Sequence, residues 1–144
     1  MKSYLKNWCI SFALIGFFLP ALSQWSSGSL PVKTARHGVE FLNAEEVIIA
    51  GGQVGNSGSS QTISDIAVIY NVNTHSWKSS SMNTPRLEPI MVRGDSGVYV
   101  IGGVSDWGNV NGNGWKIENT MEIYKNGSWS EFSIPFQTMD GNAV

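Results

Sequence analysis

The sequence predicts an all-β fold made of repeated four-stranded antiparallel sheets, and three observations carry that expectation. Gly supplies 16 of the 144 residues and Trp six, while only 14% are charged. Turn formers and aromatics with few charges suit tightly turned strands better than surface helices. Trp25, Trp77 and Trp129 recur every 52 residues, 77 less 25 and 129 less 77. Between successive Trp residues lie four short apolar or β-branched segments, separated by Gly, Asn, Asp and Ser.

The first segment is a targeting signal rather than part of the fold. Lys2 and Lys6 open the chain, Trp8 to Phe18 are almost wholly apolar, and Pro20 interrupts the run. Ala21-Leu22-Ser23 then places small residues two apart, which a signal peptidase requires. Residues 1–23 therefore read as a signal peptide. The apolar run is short for a membrane span of about 20 residues, which weighs against an uncleaved anchor. Cleavage leaves residues 24–144 and removes Cys9, the one cysteine, so neither an intrachain disulfide nor a Cys-based zinc site is available. The expected location is outside the cell, or the periplasm of a bacterium.

Each element of the repeat follows in order. Arg36 precedes the strand-like run His37 to Asn43, and Arg86 precedes Leu87 to Arg93. A polar turn comes next, Ala44-Glu45 in one unit and Gly94 to Gly97 in the other. A β-branched run then closes on two glycines, Gly51-Gly52 and Gly102-Gly103. After a polar loop, a third strand ends in Tyr70 or Tyr124, and a turn leads to Trp77 or Trp129. The turn before Trp129 contains Asn126-Gly127, the favoured pair for a two-residue hairpin. The expected strands are 37–43, 46–52, 65–71 and 76–81, then 87–93, 97–103, 119–125 and 128–133. Four-stranded sheets repeating at about 50 residues are the signature of β-propeller blades.

At these residues the chain resembles the kelch repeat. The pattern is an apolar run, Gly-Gly, Tyr, Trp six or seven residues later, then Met and Arg. Gly51, Gly52, Tyr70, Trp77, Met82 and Arg86 fit it, and so do Gly102, Gly103, Tyr124 and Trp129. The second unit departs at Thr138, which stands where Arg86 stands in the first. The resemblance covers nearly all of residues 24–144, as units 25–76 and 77–128 and the start of a third at 129–144. It implies an incomplete propeller of about two blades, the N-terminal part of a longer one. Tyr70, Trp77 and their counterparts are then structural core between blades. Closing the ring requires missing blades or self-association, because blades bury their faces against neighbours.

Function is less legible. Nine basic against eleven acidic residues, with no basic cluster, disfavour a nucleic-acid partner. The resemblance extends to galactose and glyoxal oxidases, whose copper radical chemistry uses two His, a Tyr cross-linked to Cys and a second Tyr. Residues 24–144 contain no Cys, and their only histidines, His37 and His75, fall on different parts of the repeat. No cofactor or metal is therefore expected, and no catalytic constellation is present. Arg36, Arg86 and Glu88 are candidates for a sugar site of the kind other kelch propellers use. The loop Val104 to Glu118 carries Trp107 and Trp115 among Asn and Asp, a combination that grips a sugar ring or a peptide. Asn126-Gly127-Ser128 is a glycosylation sequon. The expected function is a secreted binding module for a protein or glycan. The alternative is the front part of an exported oxidase or sugar-modifying enzyme.

Overall fold

The computed structural model describes residues 28–55, 61–106, 114–139 and 142–143. The expected signal peptide, Trp25 and Trp107 lie outside the described residues. The described elements are all strands. They are β1 (Thr34–Ala35), β2 (Gly38–Phe41), β3 (Glu46–Ala50), β4 (Gln53–Val54), β5 (Thr62–Ile63), β6 (Ile66–Asn71), β7 (Ser76–Ser81) and β8 (Ile90–Gly94). They continue as β9 (Gly97–Ile101), β10 (Val104–Asp106), β11 (Lys116–Ile117), β12 (Thr120–Lys125), β13 (Ser128–Ser133), β14 (Thr138–Met139) and β15 (Asn142–Ala143).

Two four-stranded antiparallel sheets dominate, ordered β2-β3-β6-β7 and β13-β12-β9-β8. Their strands coincide with the eight expected segments to within a few residues at each end. The turns explain the pairing. Asn71 Oδ1 accepts from the amides of Asn73 and Thr74 at 3.0 and 2.9 Å, which folds the chain back from β6 into β7. Asn126 and Gly127 both have positive φ, 50° and 83°, as a type I′ turn between β12 and β13 requires. The two polar loops that follow the Gly pairs contain strands at their described ends, β4 with β5 and β10 with β11, and β1 joins the first pair.

The repeat in sequence is a repeat in hydrogen bonding. Gly51 N donates to Ile66 O at 2.9 Å, and Gly102 N to Thr120 O at 3.0 Å. Gly52 N donates to Arg86 O, and Gly103 N to Thr138 O, both at 2.7 Å. Met82 N donates to Asp65 O, and Ile134 N to Asn119 O, both at 2.8 Å. Gly51 and Gly102 hold φ at 71° and 60°, and a Cβ on either would run into the carbonyl oxygen of Arg86 or Thr138. That close approach of the following segment is why glycine stands there.

Alternation along the strands gives each sheet two apolar faces. Ile48, Ala50, Ala67 and Ile69 of the first sheet meet Val98 and Val100 of the second, with Met82 among them. Met91, Tyr124 and Trp129 pack onto this core, and Trp129 Nε1 donates to Ser80 Oγ at 2.9 Å. The aromatic pairs are built alike, with ring centroids 4.7 Å apart for Tyr70–Trp77 and 4.9 Å for Tyr124–Trp129. Their settings differ. The Tyr124–Trp129 pair lies between the sheets. Tyr70 follows the core residue Ile69 and so points to the opposite face, away from the second sheet. Tyr70 and Trp77 are half-buried, as Tyr124 and Trp129 are, and the expectation of a fully buried core position is corrected for Tyr70 and Trp77, whose face is turned from the second sheet. Trp129→Ala is therefore expected to cost about 2–4 kcal/mol in urea denaturation and Trp77→Ala distinctly less. Equal losses would contradict this placement.

Candidate functional site

The ends of both sheets that carry the Gly pairs gather most of the residues that the sequence singles out. Arg36 and Glu88 each stand two residues before the strand that opens a sheet, β2 and β8. Both have positive φ, 58° and 52°, a conformation uncommon outside glycine. The Glu88 amide donates to Arg36 O at 2.9 Å, and the two side chains form an ion pair and hydrogen bond. The segment before β2 is thereby clasped to the segment before β8.

Trp115 stands at this same end, immediately before β11, with 49% of its surface exposed. The base of its loop is tied down by Glu118, whose carboxylate accepts from Ser105 Oγ and from Lys116 Nζ at 2.7 Å. Burial pushes the Glu118 carboxyl upward, but the hydrogen bonds from Lys116 and Ser105 and the nearby positive charges outweigh it. The group sits below its ordinary range. Glu118 N also donates to Gly103 O at 2.8 Å, as Ser64 N does to Gly52 O at 2.9 Å in the first unit. An exposed indole is thus carried on a β-hairpin rooted in a buried carboxylate.

Arg86 is placed otherwise. Its side chain has no exposed surface and spends its donors inside the protein. Nη1 donates to Gly102 O at 2.8 Å and to Thr120 O at 3.1 Å. Nη2 donates to Thr120 Oγ1 at 2.7 Å and Glu131 Oε1 at 3.2 Å, and Nε to Glu122 Oε1 at 3.3 Å. A ligand cannot reach this guanidinium, so Arg86 is a structural residue and not part of a binding surface.

At the opposite ends of the strands the two sheets part to leave a cleft of about 460 Å³. Leu42, Ile69 and Tyr124 form its apolar part, and Glu46, Lys78, Arg93, Asp95 and Lys125 its charged part. Burial, and then the Glu46 carboxylate, push the Tyr124 hydroxyl above its ordinary range, so it remains a protonated donor. Asn126, the sequon residue, stands exposed at the rim of this cleft. His75 lies in the β6–β7 turn at this end, where Tyr70 Oη and His75 Nδ1 are 2.8 Å apart. His37 lies beside Gly52 at the other end. The two histidines are therefore not brought together. Among the described residues, no group of three or more His, Cys, Asp or Glu is arranged to hold a metal ion.

Sequence reasoning missed Glu122 and Glu118. A signal for Glu122 exists: it occupies the position on β12 that Val68 occupies on β6, an acid where the repeat places an apolar residue. The cleft had no signal, because its lining comes from three turns and two sheets far apart in sequence. Neither the protein-family models nor the curated proteins provide a match to this chain.

Removing the Arg86 side chain would leave Glu122 buried without its counter-ion. Arg86→Ala is expected to cost about 3–5 kcal/mol in urea denaturation, and Arg86→Met with Glu122→Met to recover much of that loss. A single variant as stable as the wild type would contradict the assignment of a structural ion pair.

Proposed function

We propose that the chain is an exported kelch-type β-propeller module that binds a protein or glycan through the loop end marked by Trp115. The blade reading is supported by two sheets of the same strand order whose Gly pairs make equivalent hydrogen bonds to the segment that follows. The single observation that carries the binding reading is the half-exposed Trp115 indole on a hairpin anchored by Glu118. Loops presented by a rigid scaffold are where binding residues concentrate. An indole offers a flat apolar face with a hydrogen-bond donor at its edge, which suits a sugar ring or a peptide. Lys116 beside it is committed to Glu118, so the surface favours a neutral ligand over an anion.

Export rests on Lys2, Lys6, the Trp8 to Phe18 run and Ala21-Leu22-Ser23. The form recovered outside the cytoplasm is expected to begin at Gln24. Recovery of an intact Met1 by terminal sequencing would overturn cleavage. On glycan and peptide arrays, Trp115→Ala should lower binding by about tenfold or more, the loss of one buried anchor. Far-UV circular dichroism serves as the fold control. A correctly folded variant that binds as the wild type does would place the ligand elsewhere.

A further inference from the structure

The outward face of the first sheet specifies what can cover it, and the contact between the two sheets supplies the template. On the inner side of the first sheet one cross-strand row reads Gly38, Ala50, Ala67 and Ser80. All four are small, and the second sheet comes close because of it. The space that a Cβ on Gly38 would need is filled by the Met91 side chain, and Trp129 reaches over to Ser80 Oγ at 2.9 Å.

The Tyr70–Trp77 face repeats the surface that meets this small row. Register places Arg93, Val98, Tyr124 and Trp129 in one row of the second sheet. Phe41, Val47, Tyr70 and Trp77 form the equivalent row of the first. In the second sheet Val98, Tyr124 and Trp129 of that row pack onto the first sheet, whereas in the first sheet Phe41 of the row is 57% exposed and Val39 beside it 52%. The same aromatic pair at the same register calls for the same small row opposite. The outward side of the second sheet does not provide one. Its equivalent row reads Ile90, Ile101, Met121 and Phe132. Stacked head to tail, a second copy would set Phe132 against Trp77 where Ser80 receives Trp129, and Ile90 where Gly38 makes room for Met91. Overpacking of this kind is destabilising, because close-packed interfaces absorb extra methylene groups only by moving apart.

We infer that the Tyr70–Trp77 face is an interaction surface for a four-stranded antiparallel sheet of different sequence. That sheet carries Gly, Ala or Ser at the four positions held by Gly38, Ala50, Ala67 and Ser80, and a second copy of this chain is not the occupant. The inference deepens the blade reading proposed above and rests on it, but it is independent of any ligand. Continuity with the existing sheet–sheet contact is its warrant, since a head-to-tail interface repeats the same operation at each step.

The test transplants the small row. The full chain carrying Ile90→Gly, Ile101→Ala, Met121→Ala and Phe132→Ser presents on its second sheet what the first sheet presents to Trp129. In analytical ultracentrifugation this variant is expected to self-associate into a discrete species at a concentration on the order of tenfold below any self-association of the wild type. Adding Trp77→Ala should abolish the gain. Removing apolar surface would ordinarily weaken association, so a gain is diagnostic. If the quadruple variant does not fold, Phe132→Ser alone, at a residue 47% exposed on an edge strand, is expected to shift association in the same direction. A folded variant with no gain overturns the small-row requirement. A discrete wild-type oligomer abolished by Trp77→Ala overturns the exclusion of a second copy. Hydrogen exchange separates these results from failure of the blade reading: strong protection of β3, β6, β9 and β12 keeps the blades intact, and its absence overturns the blades and this inference together.

Discussion

The relation between the two sheets depends on one residue placed between them. The Arg86 backbone is tied to the segments that flank the first sheet, where its carbonyl accepts from Gly52 N at 2.7 Å and its amide donates to Ser64 O at 3.1 Å. Its side chain belongs to the second, bound to Gly102 O, Thr120 and Glu122. Glu122 is in turn saturated by donors from the same connecting segment. Asn83 gives its amide at 2.7 Å and its Nδ2 at 2.9 Å, and Thr84 gives its amide at 3.0 Å. A buried carboxylate with that many donors, and a buried guanidinium with every arm directed at oxygen, are both tolerated. The pair contributes less to net stability than its contacts suggest, because both charges lose water. Its structural effect is to fix the path of residues 83–86 over the second sheet, and thereby the register at which Met91 and Trp129 meet Gly38 and Ser80.

The same path is followed by different chemistry where the charges are missing. In the first unit Thr34 stands at the place of Arg86, and its hydroxyl donates to Gly51 O at 3.1 Å, as Nη1 of Arg86 does to Gly102 O. Val68 stands at the place of Glu122, with Val32 near it. Arg86 and Glu122 thus occur together in one unit, and both equivalent places in the other, Thr34 and Val68, are uncharged. That is the pattern expected if neither charge is tolerable alone in a buried position. At the third Gly contact Thr138 again takes the place of arginine, and its carbonyl accepts from Gly103 N. The backbone hydrogen bonds at the Gly pair are the constant feature, and the side chain that seals the corner varies.

Much of the fold was legible because it is repetitive. Val47 to Ala50 and Val98 to Ile101 read as strands from β-branched content closed by Gly-Gly, and Asn126-Gly127 marked the turn between β12 and β13. A period of 52 residues then set the strand order without any reference to long-range contacts. The burial of Tyr70 and Trp77 was misjudged because sequence gives the alternation of a strand but not which of its faces meets the neighbouring sheet. Arg86 was read as a possible ligand contact for a related reason. An arginine on a connecting segment is ordinarily exposed, and its burial is decided by Glu122, 36 residues away. Trp115 could be singled out because a large aromatic in a polar loop is conspicuous. Its anchoring by Glu118 could not, since Ser105 and Glu118 meet only after β10 and β11 pair.

The two ends of the strands therefore have different physical characters. At the Gly-pair end the backbone is committed. Glycines at positive φ, carbonyls within reach of the next segment and the Arg36–Glu88 pair leave little freedom there. Loops that grow from such a base can vary while their roots hold still, and Trp115 inherits its placement from that rigidity. At the hairpin end the sheets diverge, and the Lys78–Glu46 pair there, 3.9 Å apart, joins residues of the first sheet and does not bridge the two sheets. An exposed pair at that distance contributes little. Strand twist acting on a contact fixed at one end accounts for this asymmetry. Two sheets held in contact at one end, by a buried ion pair and a row of small residues, must separate at the other as each strand rotates relative to its neighbour.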